Sequence, residues 1–289
     1  MADKKSAAAG NKLYTYPQTS GNDIEFKLQG SDNATGTQGS FAQVAQAIAQ
    51  AQHFVFIADW SFQPLTRVQP RTGSARLTDT IGATLINAAR SNPKLLIAVH
   101  TWDHTGAKVP FLGPVAAFDP NNDKGNTILN AIANALGAGK RRPANLLWRM
   151  GSRLHTFLSH HQKFVVLDAD HSGKRVVKAF FGGLDLTKGR FDFPGSGIVP
   201  TASPAEPFGL TETAGKFSDN DWYNAEFLDD VTVPRQGWQD FYASIVGPSA
   251  WDVLREFVGR WISISDSVLG PKGDTGQGAR DQVLDKFQS

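Results

Sequence analysis

Cysteine is absent from this chain of 289 residues. That absence excludes disulfide bonds and zinc sites built from thiolates. The chain also lacks an uninterrupted apolar run of about 18 residues, so the sequence predicts no helix that crosses a bilayer. Lys4 and Lys5 lie near the amino terminus without an apolar stretch after them. We therefore expect no secretory signal peptide and synthesis in the cytoplasm.

A strong excess of charge of either sign is absent as well, since the formal net charge is +2 and charged residues make up 19% of the chain. So small a net charge does not predict nucleic acid as a partner. Basic residues nevertheless cluster locally, at Lys140, Arg141, Arg142, Arg149 and Arg153. Two interpretations stay open for them: a solvated loop beside a strand, or an electropositive rim that attracts an anionic head group or membrane.

Apolar residues alternate between helical spacing and short buried runs. Helices are predicted around residues 41–48, 77–85, 129–136 and 253–261, with Ser40 and Ser249 as N-caps of the first and the last. Runs rich in aromatic and β-branched residues predict strands at 24–28, 53–60, 95–99, 145–148, 164–167 and 176–181. This alternation predicts an α/β fold, an α-β-α sandwich with helices on both faces of a mixed sheet.

Two segments carry no clear periodicity. Residues 190–216 are rich in Pro, Gly, Ser and Thr, and they are interpreted either as a surface insertion or as a lid or membrane-touching rim. The polar residues 271–289 predict a linker or a weakly ordered end.

The most informative motif is His161, Lys163 and Asp168, which reads H-x-K-x-x-x-x-D across four apolar residues. Strand alternation places His161 and Lys163 on one face, because side chains repeat with a period of two. An imidazole beside an ammonium suits attack on a phosphorus atom whose oxygens must be neutralised. Asp168 falls on the opposite face of such a strand, which favours a structural role over direct contact with phosphate.

A second motif follows the strand at 176–181, as Gly182-Gly183-Leu184-Asp185-Leu186 and then Gly189-Arg190-Phe191-Asp192. Glycines at a strand end let the backbone approach a phosphate closely. Together the two motifs resemble the phospholipase D superfamily, specifically the amino-terminal lobe of its eukaryotic-type phospholipases. Ile57-Ala58-Asp59-Trp60 and Phe257-Val258-Gly259-Arg260-Trp261 are similar to that family's opening strand and closing helix.

The resemblance implies a set of roles. His161 would be the nucleophile that forms a phosphohistidine, with Lys163 and Asp168 completing the catalytic motif. Asp240, in Trp238-Gln239-Asp240, would be the carboxylate that orients the histidine. The residues expected at the substrate are Gly182, Gly183 and Asp185. No metal and no cofactor are implied.

The expected function is that of a phospholipase D, which hydrolyses glycerophospholipids to phosphatidic acid and a free head group. A nuclease or other phosphodiesterase of the same superfamily is the alternative enzyme, and an inactive phospholipid-binding lobe is the alternative without catalysis. A metal hydrolase built on His100, Asp103 and His104 is disfavoured, because these residues follow a strand and share no predicted helix face.

The pattern is incomplete, since relatives carry two H-x-K-D motifs and this chain has one. None of His53, His100, His104, His155, His160 and His171 is followed by lysine two residues later. The missing histidine could lie on another half of the same enzyme, or on a homodimer mate, or be lost in an inactive lobe. We expect the first, with residues 1–268 as the lobe and 269–289 as a tail or inter-lobe linker.

A phospholipase D without a signal peptide resembles the lipase toxins that bacteria deliver through type VI secretion. That resemblance implies action at target-cell membranes, with peripheral contact to phospholipid. It also implies a spike protein and an immunity protein as partners. Neither this delivery route nor these partners follow from individual residues of the chain.

Overall fold

Seven strands form one mixed sheet in the part of the chain that the computed structural model describes, which comprises residues 19–28, 39–68, 77–102, 120–137, 141–151, 161–187, 190, 240–263, 274 and 277–288. The strands are β1 (Asp23–Leu28), β2 (Phe54–Asp59), β3 (Leu96–Trp102), β4 (Leu146–Gly151), β5 (Phe164–His171), β6 (Lys174–Gly182) and β7 (Phe241–Val246). Their order across the sheet is β1-β7-β6-β5-β2-β3-β4. β2, β3 and β4 are parallel to one another, and the other neighbours are antiparallel.

Helices cover both faces of this sheet. They are α1 (Ser40–Gln50), α2 (Ile81–Ser91), α3 (Pro120–Ala135), α4 (Pro248–Ser263) and α5 (Gln277–Gln288), with one 3₁₀ turn at Leu77–Asp79. Val55 and Ile57 of β2 belong to the apolar core under α1, α2 and α3. Phe56 and Ala58 belong to a second core under α4 and α5. Central strands buried on both faces read as continuous apolar runs, and the predicted α-β-α sandwich is confirmed.

One edge of the sheet collects the residues of interest. β2 and β6 end there at Asp59 and Gly182, and the antiparallel strands β5 and β7 begin there at Phe164 and Phe241. Residues just before β5 and just after β6 therefore become neighbours although they are far apart in sequence. His161 and Lys163, just before β5, and the glycine pair at the end of β6 lie at this edge.

Three predicted helix starts differ from the structure. Gly39 rather than Ser40 is the N-cap of α1, and no side chain caps that helix. α2 begins at Ile81 instead of Leu77, because the Thr80 side chain accepts a hydrogen bond from the N–H of Ala83 and starts the helix there. α4 begins at Pro248, whose fixed φ and missing N–H suit a first helical position, so Ser249 is not its cap.

The carboxyl-terminal segment is ordered where the sequence predicts a weakly ordered end. Within 269–289, Gln277–Gln288 forms α5, and Val283 is fully buried in the core under α4. Upstream, the N–H of Trp148 on the edge strand β4 donates to the carboxylate of Asp274 at 2.7 Å. The expected weak order is therefore wrong for this segment, because apolar residues four apart give the helix a buried stripe. Its role as a linker stays a prediction.

Candidate functional site

Lys163 lies immediately before β5, with 3% of its side chain exposed. Its ammonium Nζ is 3.5 Å from Oδ2 of Asp185 and 5.6 Å from the centre of the Trp60 ring. Among the described residues this nitrogen has no hydrogen-bond acceptor. A buried ammonium is costly unless it is paired and hydrogen-bonded. The charge of Lys163 is therefore balanced by Asp185. Its N–H groups have no acceptor among the described residues, so they can hydrogen-bond a ligand.

Asp185 follows β6 and holds Lys163 in place. The backbone N–H of Ser61 donates to its Oδ1 at 3.0 Å, which fixes the carboxylate against the loop after β2. Its Oδ2 faces Lys163 and also lies 3.7 Å from Nε of Arg190. The family resemblance implies contact between Asp185 and substrate, whereas the structure buries this carboxylate, 1% exposed, against the two cations. The expected substrate contact stays a prediction.

His161 is exposed at the same edge, and its ring meets the Trp60 indole edge-on with centroids 5.2 Å apart. The pKa of His161 is lowered from its ordinary value of 6.5, first by partial loss of solvent and then by the charge of Lys163. The carboxylates of Asp185 and Asp240 act in the opposite direction. The net shift favours the neutral imidazole, which is the form that can attack phosphorus.

Asp240 directly precedes β7, and its Oδ1 accepts the N–H of Phe241 at 2.8 Å. A Cβ on Gly183 would overlap the Asp240 carboxylate, so the missing side chain at Gly183 makes room for it. A Cβ on Gly182 would meet the carbonyl oxygen of Phe241 on β7. The glycines are thus required by the packing of protein groups, while their expected contact with phosphate stays a prediction.

The structure brings the Asp240 charge close enough to act on His161. No hydrogen bond joins the two side chains among the described contacts, so the orienting role of Asp240 stays a prediction.

Asp168 is not part of this cluster, because it lies five residues into β5, about 17 Å along the strand from Lys163. Its carboxylate accepts the backbone N–H groups of Gln52, His53 and Phe54 at 2.8 to 3.2 Å. Arg175 adds an ion pair at 3.4 Å. Asp168 therefore ties β5 to the turn between α1 and β2, as expected from its position on the opposite face, and the structure gives it no place beside His161.

One buried residue of the site was not predicted from the sequence. Asp59, the last residue of β2, is 2% exposed and lies beside Asp185, and its Oδ2 accepts the N–H of Leu186 at 2.7 Å. The available signal was a carboxyl at the end of an apolar strand. Such a group must face a polar site if it is to be satisfied.

Two described members of the basic cluster are engaged by other parts of the protein. Arg149 is fully buried and donates to the carbonyl oxygen of Trp261 at 3.0 Å. Arg142 pairs with Asp274 at 2.9 Å. Lys140, Arg153, Asp103, His104, Gly189, residues 191–216 and Trp238-Gln239 lie outside the described residues.

Comparison with known proteins decides the family. The family model described as Phospholipase D matches residues 47–275. The chain belongs to the phospholipase D family. The resemblance drawn from the histidine and glycine motifs is thereby confirmed.

Curated relatives of this phospholipase D domain include two Arabidopsis thaliana proteins. Phospholipase D gamma 2 is 29% identical over 237 residues, which cover 80% of this chain and 26% of the relative. Phospholipase D beta 1 is 30% identical over 227 residues, which cover 75% and 19%. The chain thus spans about a quarter or less of the curated relatives it matches.

Among solved structures, a phosphatidylserine synthase from Haemophilus influenzae Rd KW20 matches with a TM-score of 0.42 at 11% identity. The match covers 91% of this chain and 43% of the synthase. Within the described part of this phospholipase D domain, no helix combines the length and the apolar character needed to cross a membrane.

Proposed function

We propose that this chain is one lobe of a phospholipase D that hydrolyses glycerophospholipids to phosphatidic acid and a free head group through a phosphohistidine at His161. The observation that carries the proposal is the Lys163 ammonium, which is buried beside His161 and has no hydrogen-bond acceptor among the described residues. A diester oxygen would supply that acceptor. Membership of the phospholipase D family supports the same substrate class.

The proposed reaction has two displacements at phosphorus. The neutral imidazole of His161 attacks, a nitrogen–phosphorus bond forms, and the bond to the head-group oxygen breaks. That oxygen leaves as an alcohol after taking a proton from an acid on a second lobe. Water then attacks the phosphohistidine, loses a proton to the same group and releases phosphatidic acid with His161 restored. Lys163 stabilises the charge on the phosphoryl oxygens in both steps.

The acid that protonates the leaving oxygen is proposed to come from another H-x-K-D lobe, carried by the other half of the same enzyme. A homodimer mate is the alternative source. Contact with a phospholipid membrane is proposed to be peripheral, at the sheet edge where His161 is exposed. Delivery by type VI secretion, with a spike protein and an immunity protein as partners, is proposed on the sequence resemblance alone.

The test uses the purified chain together with the partner that co-purifies with it. Vesicles of phosphatidylcholine and phosphatidylethanolamine are supplied, and released head group and phosphatidic acid are measured. Quenching without acid followed by peptide mass spectrometry should find a phosphoryl group on His161. His161→Ala should abolish turnover and adduct, whereas His171→Ala, an exposed histidine at the other end of β5, should change neither.

Other outcomes point to the alternatives. Cleavage of single-stranded DNA without head-group release would replace the lipase with a nuclease. Vesicle binding that survives His161→Ala, without turnover when the partner is present, would identify a phospholipid-binding lobe. Full turnover by His161→Ala would overturn the phosphohistidine mechanism.

A further inference from the structure

Asp59 is a buried carboxyl group in the candidate site with no assigned role. Its Oδ2 accepts the N–H of Leu186 at 2.7 Å. Its Oδ1 is buried and has no N–H or hydroxyl donor among the described residues. The neighbouring polar group is another carboxyl, that of Asp185. A buried carboxylate oxygen without a donor is costly, and a second carboxylate beside it adds repulsion.

The charged form of Asp185 is stabilised by more partners than that of Asp59. It lies within ion-pair distance of Lys163 and Arg190 and accepts the N–H of Ser61. Two carboxyls in contact are stabilised when they share one proton, because the protonated group can donate to the ionised one. The proton belongs on the group with fewer donors, which is Asp59.

We propose that Asp59 and Asp185 share a single proton, and that neutral Asp59 thereby makes the inner part of the site one charge more positive toward an anionic phosphodiester than an ionised Asp59 would. The inner part is Lys163, Arg190, Asp185 and Asp59. With Asp59 neutral, Asp185 alone of this pair brings a negative charge to Lys163 and Arg190. Ionisation of Asp59 would add a second negative charge and make the same groups one unit less positive toward the substrate. This positioning role for Asp59 deepens the proposed function and rests on it for the identity of the anion.

The surroundings of Asp59 agree with a neutral group. Burial raises its pKa well above the ordinary 3.8, the charge of Asp185 and the contact with it raise the pKa further, and the Leu186 N–H and Lys163 oppose them with smaller effects. On β7, burial first and then the two carboxyls raise the pKa of Tyr242, which keeps its phenol neutral. Among the described residues, the titratable and charged groups around the pair are His161 and Lys163 before β5, Asp185 and Arg190 after β6, and Asp240 and Tyr242 at the start of β7.

Infrared spectroscopy tests the shared proton without any turnover. The whole chain at neutral pH should show the C=O stretching band of a protonated, buried carboxyl, which shifts in heavy water. Asp59→Asn should remove the band, since its amide preserves the shape and can donate to Asp185. Asp168→Asn, at another buried carboxylate, should leave it. Absence of the band in the wild-type chain, or its survival in Asp59→Asn, would overturn the proposal.

Sulfate tests the consequence for anion binding, because it stays doubly charged across the range used. Its affinity for the wild-type chain should fall on the order of tenfold as pH rises through the ionisation of Asp59. In Asp59→Asn the affinity should not show this fall. Equal pH profiles in the two proteins would refute the electrostatic role.

Sulfate binding to neither protein would also refute the electrostatic role, and would count against the phosphate site of the proposed function. The shared proton would still be decided by the infrared band. The chain could also show the infrared band and the pH-dependent sulfate affinity but no lipid turnover. That result would overturn the proposed function and leave the Asp59 proposal standing. Failure of the Asp59 proposal and failure of the lipase are therefore distinguishable.

Discussion

His161 and Lys163 differ in exposure although they are two residues apart. The imidazole is exposed, whereas the ammonium is buried against Trp60 and Asp185. A nucleophile must reach its substrate, and a charge that stabilises phosphoryl oxygens acts more strongly where water is excluded. The charge of Lys163 also lowers the pKa of the imidazole. The segment 161–163 thus supplies both an accessible imidazole and a fixed cation.

The titration of His161 can be followed by NMR without turnover. We expect its pKa to lie below the ordinary 6.5, because of partial desolvation and the charge of Lys163. Lys163→Met should move the pKa upward, since one of the two causes is removed. Turnover by the assembled enzyme should rise as pH increases through the His161 pKa, because the neutral form is the nucleophile.

Lys174→Met is the control, since Lys174 is exposed at the far end of β6. It should leave the titration unchanged. A His161 pKa at or above 6.5 in the wild-type chain would contradict the expected environment.

At the scale of elements, Asp168 connects the candidate site strand to the rest of the sheet. Its carboxylate accepts three backbone N–H groups, two just before β2 and one from its first residue, and β2 in turn ends at Asp59, directly before Trp60. The aspartate of the histidine motif therefore supports the site through strand placement. We therefore expect Asp168 to affect turnover only indirectly, through the position of the strands that carry the site.

Asp168→Ala should lower the free energy of unfolding by about 1.5–3 kcal/mol, because buried N–H groups lose a charged acceptor. Urea denaturation measures this loss. The folded variant should keep the wild-type His161 titration by NMR. Asp281→Ala, at an exposed position on α5, should leave stability unchanged within about 0.5 kcal/mol. A shifted His161 pKa in folded Asp168→Ala would show that Asp168 acts on the site itself.

Elements with two buried faces were predictable from the sequence. The apolar runs of β2, β3 and β5 need burial on both sides, which forces a layered fold with helices above and below. β7 was not predicted, because its apolar residues are mixed with Tyr242 and Ser244 and its place depends on pairing with β1 and β6. α5 was missed because its polar residues outnumber a short apolar stripe.

In the candidate site, only residues that belong to recognisable sequence motifs or to the family resemblance were predictable. The structure brings His161, Lys163 and Asp185 of the paired motifs to one edge, together with Asp240, which only the family resemblance had implied. Asp59 was not identified, since its role depends on a neighbour 126 positions later that the sheet places beside it. The steric requirement for glycine at 183 was not predictable either, because the carboxylate that occupies the space belongs to Asp240, 57 positions later and directly before β7.

At the scale of the whole molecule, the 289 residues contain one H-x-K-D motif, and its histidine lies at the described sheet edge. The chain also spans about a quarter or less of the relatives it matches. A two-step displacement needs an acid for the leaving alcohol. We propose that this acid lies on a second lobe, carried either by another polypeptide or by a second copy of this chain, and the two sources give assemblies of different stoichiometry.

Mixing wild-type and His161→Ala chains in equal amounts before assembly distinguishes the sources. If each site pairs this lobe with a separate second lobe, turnover should fall to about half. If two copies share one site that needs both His161 residues, only wild-type pairs work, and turnover should fall to about a quarter. We expect about half, with a second polypeptide in the assembly by native mass measurement. A quarter of the activity in an assembly of this chain alone would establish the homodimer, and a mixture with His171→Ala should keep full activity in either case.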